Sequence, residues 1–211
     1  SHSPAQAGMD QERNHMEIRD KAMKGKMKIA VIGAGSSYTP EIIEKLVELS
    51  DRLPVKQISL MDIDPVRLGI MLGFSQRYAA HRGYTAEIIG TLDRQEALVG
   101  ADFVISQFRV GGNAARVNDE KIPLKFGLIG QETTGAGGFM KALRTVPVLL
   151  DIARDVERIC PDAWIVNYTN PTGIVTEAVT RYTRAKIAGL CSGGLFPGTF
   201  FAKALGVDAA R

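Results

Sequence analysis

Short apolar runs alternate along this chain with longer segments whose apolar residues recur every three or four positions. Lys28 to Ile32 is rich in β-branched residues and too short for a helix, so it predicts a strand buried on both faces. Ile42, Ile43, Leu46, Val47 and Leu49 follow with the spacing of one apolar helical stripe. Lys56 to Asp62 predicts a second strand, and Pro65 to His81 a helix carrying Val66, Leu68, Met71, Leu72, Phe74 and Tyr78. Thr85 to Gly90 predicts a third strand, Asp93 to Val99 a short helix, and Asp102 to Gln107 a fourth strand. Asn113 to Phe126 is a mixed helical stretch, Phe139 to Ile159 a long helix stopped by Cys160-Pro161, and Trp164 to Tyr168 a fifth strand. A helix through Arg181 precedes a sixth strand, Lys186 to Leu190. Strands alternating with helices at this spacing imply βαβ units and a parallel sheet. Six of them match an α/β doubly wound, Rossmann-like fold with strand order 3-2-1-4-5-6.

That fold binds ligands at the carboxyl ends of its strands, so the turns there carry the candidate chemistry. After the first strand comes Gly33-Ala34-Gly35-Ser36-Ser37-Tyr38-Thr39-Pro40-Glu41. Gly33 and Gly35 permit a sharp turn with backbone N–H groups close to a ligand. Thr39 suits an N-cap, Pro40 the first helical position, and Glu41 the positive end of the helix dipole. Strand, glycine turn and helix N-terminus make a site for a dinucleotide pyrophosphate, although Tyr38 stands where a third glycine would complete G-x-G-x-x-G. Asp62 ends the second strand, placed to accept from a ribose 2′-hydroxyl and to repel the extra phosphate of NADP. A turn or cap role is its plain alternative, but Asp64, before Pro65, is the better N-cap. Gly111-Gly112, Thr169-Asn170-Pro171 and Cys191 leave later strands at the same edge. Gly127 to Gly138 holds too many glycines for an element and reads as a functional loop.

Composition narrows the classes. The chain has 211 residues, 45% hydrophobic and 23% charged, which suits one globular domain over 27–211. A net charge of +3 without clustering argues against nucleic acid. Cys160 and Cys191 make no disulfide framework, no apolar run is long enough for a membrane span, and no signal-peptide pattern opens the chain. A soluble cytoplasmic protein is the expectation. Residues 1–26 read as a tag remnant and mobile extension.

Four longer motifs carry a resemblance. Gly33-Ala-Gly-Ser-Ser-Tyr-Thr-Pro40, Gln107-Phe-Arg-Val-Gly-Gly112, Lys121 to Gly135 (KIPLKFGLIGQETTG) and Pro161 to Pro171 (PDAWIVNYTNP) resemble the NAD-dependent glycoside hydrolases of family 4, in particular its 6-phospho-β-glucosidases. This family stands outside the usual two-carboxylate scheme of glycosidases. The resemblance implies NAD⁺ and a divalent metal, usually manganese, acting on a phosphorylated disaccharide. It implies oxidation at sugar C3, loss of the acidified C2 proton to a base, elimination of the glycosidic oxygen, addition of water, and re-reduction. By the same resemblance Gly33, Gly35, Ser36 and Ser37 line the pyrophosphate and Asp62 the ribose. Arg116 and Asn170 then contact substrate, and Cys191 binds the metal. Arg109, Glu132 and Arg144 fall in the matching motifs without an assigned role.

Each assignment has a plainer alternative: a solvated helix charge for Arg116, a turn for Asn170-Pro171, and a small buried residue for Cys191. Two departures qualify the match. Ser192 stands where the phospho-β-glucosidases usually have asparagine, which leaves the anomeric preference open. The family's metal-binding histidine, tyrosine base and substrate-closing domain fall beyond Arg211, since the histidines here are His2, His15 and His81. The expectation is a cofactor-binding portion, inactive alone and prone to homo-oligomerise. A 2-hydroxy-acid dehydrogenase and a non-catalytic nucleotide-binding module remain as alternatives.

Overall fold

A computed structural model describes residues 27–191, 201–202 and 204–207. The extension expected over 1–26, and Ser192, lie outside the described residues. Six parallel strands form one sheet in the order β3-β2-β1-β4-β5-β6: β1 (Met27–Ile32), β2 (Val55–Met61), β3 (Glu87–Thr91), β4 (Phe103–Ser106), β5 (Trp164–Asn167) and β6 (Lys186–Gly189). Six helices connect and flank them: α1 (Thr39–Glu48), α2 (Pro65–His81), α3 (Arg94–Leu98), α4 (Gly112–Leu124), α5 (Gly135–Ile159) and α6 (Thr172–Tyr182). The strand order is the one the sequence predicts, with element ends shifted by one or two residues except at the start of α5, which begins four residues before the expected Phe139.

Period-two alternation along β1 explains why that strand is central. Ile29 and Val31 enter one core with Ile43, Leu46 and Val47 of α1 and Leu68 and Ala79 of α2. Ala30 and Ile32 enter the other, with Leu149, Ile152 and Val156 of α5 and Val175 and Val179 of α6. Strands covered on both faces read as continuous apolar runs, as Lys28 to Ile32 does. Fully burying residues such as Ile43, Ile58, Leu149 and Ile165 contributes about 1.5–3 kcal/mol each.

Two local expectations are corrected. Thr39 does not cap α1; Tyr38 holds the cap position without a side-chain bond. The Thr39 hydroxyl is fully buried and donates instead to the Ala34 carbonyl at 2.7 Å, because the tight turn brings that oxygen nearer than the helix amides. The glycine stretch is also not all loop, since Gly135 to Gly138 form the first turn of α5. A Cβ at Gly137 or Gly138 would collide with the backbone of Asp119, Gln131 or Thr133. These glycines therefore serve close backbone approach between α5 and the segment before it, and not flexibility. Among the described residues no helix is long and apolar enough to cross a membrane.

Candidate active site

The glycine turn is held from three sides. The Gly33 and Ala34 amides both donate to the Met61 carbonyl at 2.9 Å, which ties the end of β1 to the end of β2. Gly33 has φ +89°, and a Cβ there would lie 2.8 Å from the Phe108 Cβ. At Gly35 a Cβ would lie 2.8 Å from the Asp62 Oδ2 and 2.9 Å from the Arg67 Cβ. Both positions thus require glycine, one for conformation and space, the other for space. Asp62, the first residue beyond β2, accepts from the Gly35 amide through Oδ2 at 2.7 Å and from the Asp64 amide through Oδ1 at 2.9 Å. Asp64 caps α2 through the Val66 and Arg67 amides, as its position before Pro65 predicts. From below, Gln107 Nε2 donates to the Thr39 hydroxyl at 2.8 Å, joining the end of β4 to the turn.

This arrangement fits a dinucleotide. Gly33 and Gly35 let the turn pack tightly against Phe108, Asp62 and Arg67, and among the described residues the Ser37 amide donates to no protein acceptor, which leaves it for an anion. Ser37 is exposed and Ser36 half-buried, so both remain reachable. Asp62 keeps lone pairs beyond the two its backbone partners use.

Because β1, β4, β5 and β6 are neighbours, their carboxyl ends set the glycine turn, the Gln107–Arg109 segment, Asn170 and Cys191 in one row. At the usual strand spacing that row is about 15 Å long. Asn167, at the end of β5, is fully buried and saturated. Its Oδ1 accepts from the Ser106 hydroxyl (2.7 Å) and the Thr169 amide (3.0 Å), while Nδ2 donates to the Thr169 carbonyl (3.1 Å) and the Thr176 hydroxyl (3.3 Å). Thr169 in turn accepts from the Phe108 amide at 3.2 Å. Asn170, half-buried and followed by a cis peptide to Pro171, accepts from the Thr172 hydroxyl at 3.1 Å. Cys191 is exposed just past β6. Among the described residues no three His, Cys, Asp or Glu side chains converge, so they do not by themselves form a metal site.

Arg116 sits on α4 in a charged cluster centred on Glu132. Glu132 receives Arg109 and Lys141 on Oε1 and Arg116 on Oε2 at 3.2 Å, and Arg116 also donates to Glu120 at 2.8 Å. Lys141 is only 3% exposed. Burial pushes the Glu132 carboxyl up, but Lys141 and Arg109 outweigh it and hold the carboxyl below its ordinary range. The pair is asymmetric. Burial, reinforced by Arg109 and Arg116, draws the Lys141 ammonium below its ordinary value despite Glu132, because one carboxylate is shared among three cations. The hydrogen bond to Glu120 and the charge of Glu132 raise Arg116. Alongside, Arg144 grips Asp119 with both terminal nitrogens and donates to the Val110 carbonyl at 3.0 Å, fastening the turn after β4 to α5.

The structure thus joins Gly35 directly to Asp62 and Gly33 to the preceding Met61, and sets Asn170 and Cys191 on the same edge, while Arg116 belongs to the Glu132 cluster. Sequence reading misses Arg67, Gln107, Asn167 and Lys141. Asn167 had a signal, as a polar residue on an otherwise apolar strand, but Lys141 reads as an ordinary helix charge.

Residues 28–207 match the model of the family 4 glycosyl hydrolases. A probable 6-phospho-β-glucosidase of Bacillus subtilis is 50% identical over 188 residues, covering 88% of this chain and 42% of that protein. The structure of the 6-phospho-β-glucosidase of Thermotoga maritima with manganese, NAD⁺ and glucose-6-phosphate superposes with a TM-score of 0.80 at 40% identity, over 87% of this chain and 45% of that one. A 6-phospho-α-glucosidase from gut microorganisms, with NAD and Mn²⁺, gives a TM-score of 0.82 at 33% identity, again over 88% of this chain and 43% of that one. The chain therefore spans less than half the length of these relatives. With a glycine turn held at the end of β1, a 3-2-1-4-5-6 sheet, and a family match over residues 28–207, this chain belongs to glycosyl hydrolase family 4.

Proposed function

We propose that the chain is the cofactor-binding portion of a glycosidase that acts on phosphorylated disaccharides, with 6-phospho-β-glucosides as its substrate class. The β-glucosidase relatives at 46–50% identity support that class over the α-glucosides, whose relatives lie at 38% and below. The observation that carries the reading is the glycine turn after β1, whose Gly35 amide is held by Asp62 while its Ser37 amide donates to no protein acceptor among the described residues. The Ser37 amide, with Gly33, Gly35 and Ser36 around it, holds the pyrophosphate, and Asp62 accepts from the adenosine ribose.

Bound NAD⁺ supplies reversible oxidation of a sugar carbon, which acidifies the neighbouring C–H, and a divalent metal such as manganese supplies Lewis-acid stabilisation of the resulting negative charge. This chain contributes positioning. Arg116 and Asn170 orient the phosphorylated sugar along the row of strand ends. Arg109, Arg116 and Lys141 outnumber Glu132 and Glu120 by one charge, which favours a phosphorylated ligand over a neutral one. Cys191 offers one thiolate toward the metal. Among the described residues no three His, Cys, Asp or Glu side chains converge, and manganese, a weak binder, prefers oxygen and imidazole to a thiolate, so further ligands are needed to retain it.

Calorimetry with each cofactor tests the reading. NAD⁺ is expected to bind, and more tightly than NADP⁺, because Asp62 accepts from ribose hydroxyls and opposes a 2′-phosphate. No heat with NAD⁺ up to millimolar concentration removes the dinucleotide reading.

A further inference from the structure

Gly35 is gripped at both ends of its peptide: Asp62 takes its amide at 2.7 Å, and Arg67 Nε donates to its carbonyl at 3.0 Å. Arg67 belongs to the first turn of α2, where the Asp64 carboxylate accepts its amide at 3.1 Å. Its Cβ lies 2.9 Å from where a Gly35 side chain would begin, so the stem is packed on the turn while the residue as a whole is exposed. Among the described residues Arg67 enters no ion pair, and both Asp62 oxygens are occupied by backbone amides. The guanidinium is therefore anchored through Nε, with Nη1 and Nη2 in no hydrogen bond or ion pair among the described residues.

We propose that Arg67 sets cofactor selectivity by offering those two nitrogens to a ribose 2′-phosphate, so that the site prefers NAD⁺ only modestly and accepts NADP⁺. This rests on the dinucleotide reading above. An acid alone at the ribose rejects the phosphate, whereas a nearby arginine accommodates it, and here both stand next to the same glycine. The Nε bond removes part of the side-chain freedom that the guanidinium would otherwise lose on binding, and planar Arg–phosphate pairing is two-pronged and charge-assisted.

The test is calorimetric titration of NAD⁺ and NADP⁺ into the chain and into Arg67→Gln and Arg67→Lys. Gln keeps a donor for the Gly35 carbonyl and loses the charge; Lys keeps the charge and loses the fork. In the unaltered chain NADP⁺ is expected within about tenfold of NAD⁺, and Arg67→Gln is expected to weaken NADP⁺ at least about tenfold more than NAD⁺. Arg67→Lys should retain an intermediate NADP⁺ affinity, falling as salt rises. Three results overturn the proposal: NADP⁺ binding more than about a hundredfold weaker than NAD⁺ in the unaltered chain, equal losses for both cofactors in Arg67→Gln, or no change in either. The first would leave Asp62 in sole control, and the second would make Arg67 a clamp on the turn and nothing more. Failure of NAD⁺ itself to bind is a separate outcome that removes the dinucleotide reading, so the two failures are distinguishable.

Discussion

Asp62 serves the fold and the proposed site with the same two oxygens. Its carboxylate anchors the Gly35 amide and starts the path to α2 through the Asp64 amide, and its remaining lone pairs are left for the proposed ribose contact. Removing it therefore costs more than a ribose contact. Asp62→Ala is expected to weaken NAD⁺ by about 1.5–3 kcal/mol through lost charge-assisted bonds and to lower thermal stability as the turn loses its anchor. Asp62→Asn keeps only one of the two anchors, because its single amide oxygen can take the Gly35 N–H while its NH2 then faces the Asp64 N–H, so its melting temperature is expected between those of the unaltered chain and Asp62→Ala. Calorimetry and a melting curve on both variants check this, and an unchanged melting temperature in Asp62→Ala would contradict the anchoring role. Gly33 responds differently. Gly33→Ala meets both a positive φ and the Phe108 backbone, so it should destabilise by roughly 1–3 kcal/mol whether or not a cofactor is present.

Between elements, polar side chains do the joining that apolar packing does elsewhere. Glu132 ties the segment before α5 to α4 and to Arg109, and it is the charge partner of buried Lys141. Glu132→Gln leaves that ammonium without its carboxylate and is expected to destabilise by about 3 kcal/mol in urea denaturation. The pH dependence has a definite sign. A carboxyl held below its ordinary value of 4.5 contributes stability that is complete above that value and is lost as the pH falls through its own lower one. Acid should therefore destabilise the native chain below about pH 4.5, and Glu132→Gln should flatten that limb. Lys141 acts at the other end of the scale. Its lowered value means the unfolded chain binds more protons below 10.5, so its unfavourable contribution is relieved as the pH approaches that value. Asn167 joins β4, β5 and α6 through four bonds, and Asn167→Leu should cost roughly 2–4 kcal/mol by stranding Ser106 and Thr169.

For the molecule as a whole, the two cores hold a sheet whose carboxyl edge carries the glycine turn, Asn170 and Cys191 in one row. In the proposed reading that row binds cofactor and substrate, and among the described residues no three metal-ligating side chains converge there. We therefore expect this chain, supplied with NAD⁺ and Mn²⁺, to release no nitrophenol from p-nitrophenyl 6-phospho-β-glucoside. The resemblance places the base outside the described residues, and a positioned base is typically worth about 10²–10⁴-fold. Turnover that disappears in Cys191→Ala would show that copies of the chain assemble a complete site between them.

The sequence by itself determined the sheet. Apolar runs of strand length alternating with amphipathic helices leave few arrangements once parallel crossovers must be right-handed, and the observed strand order follows. It also determined the position of the glycine turn, because tight turns and close approaches demand residue types that are visible one at a time. Local periodicity does not reveal which side chains meet across elements. Arg67 against Gly35, Gln107 against Thr39, and Lys141 with Arg109 and Arg116 around Glu132 are separated by 9 to 68 positions where a hydrogen bond joins them. Thr39 shows the same limit: in sequence it is a helix cap, and only the folded turn places the Ala34 carbonyl close enough to claim its hydroxyl. Tertiary structure decided these pairings because a buried polar group takes the partner that packing brings within about 3 Å, whatever its place along the chain.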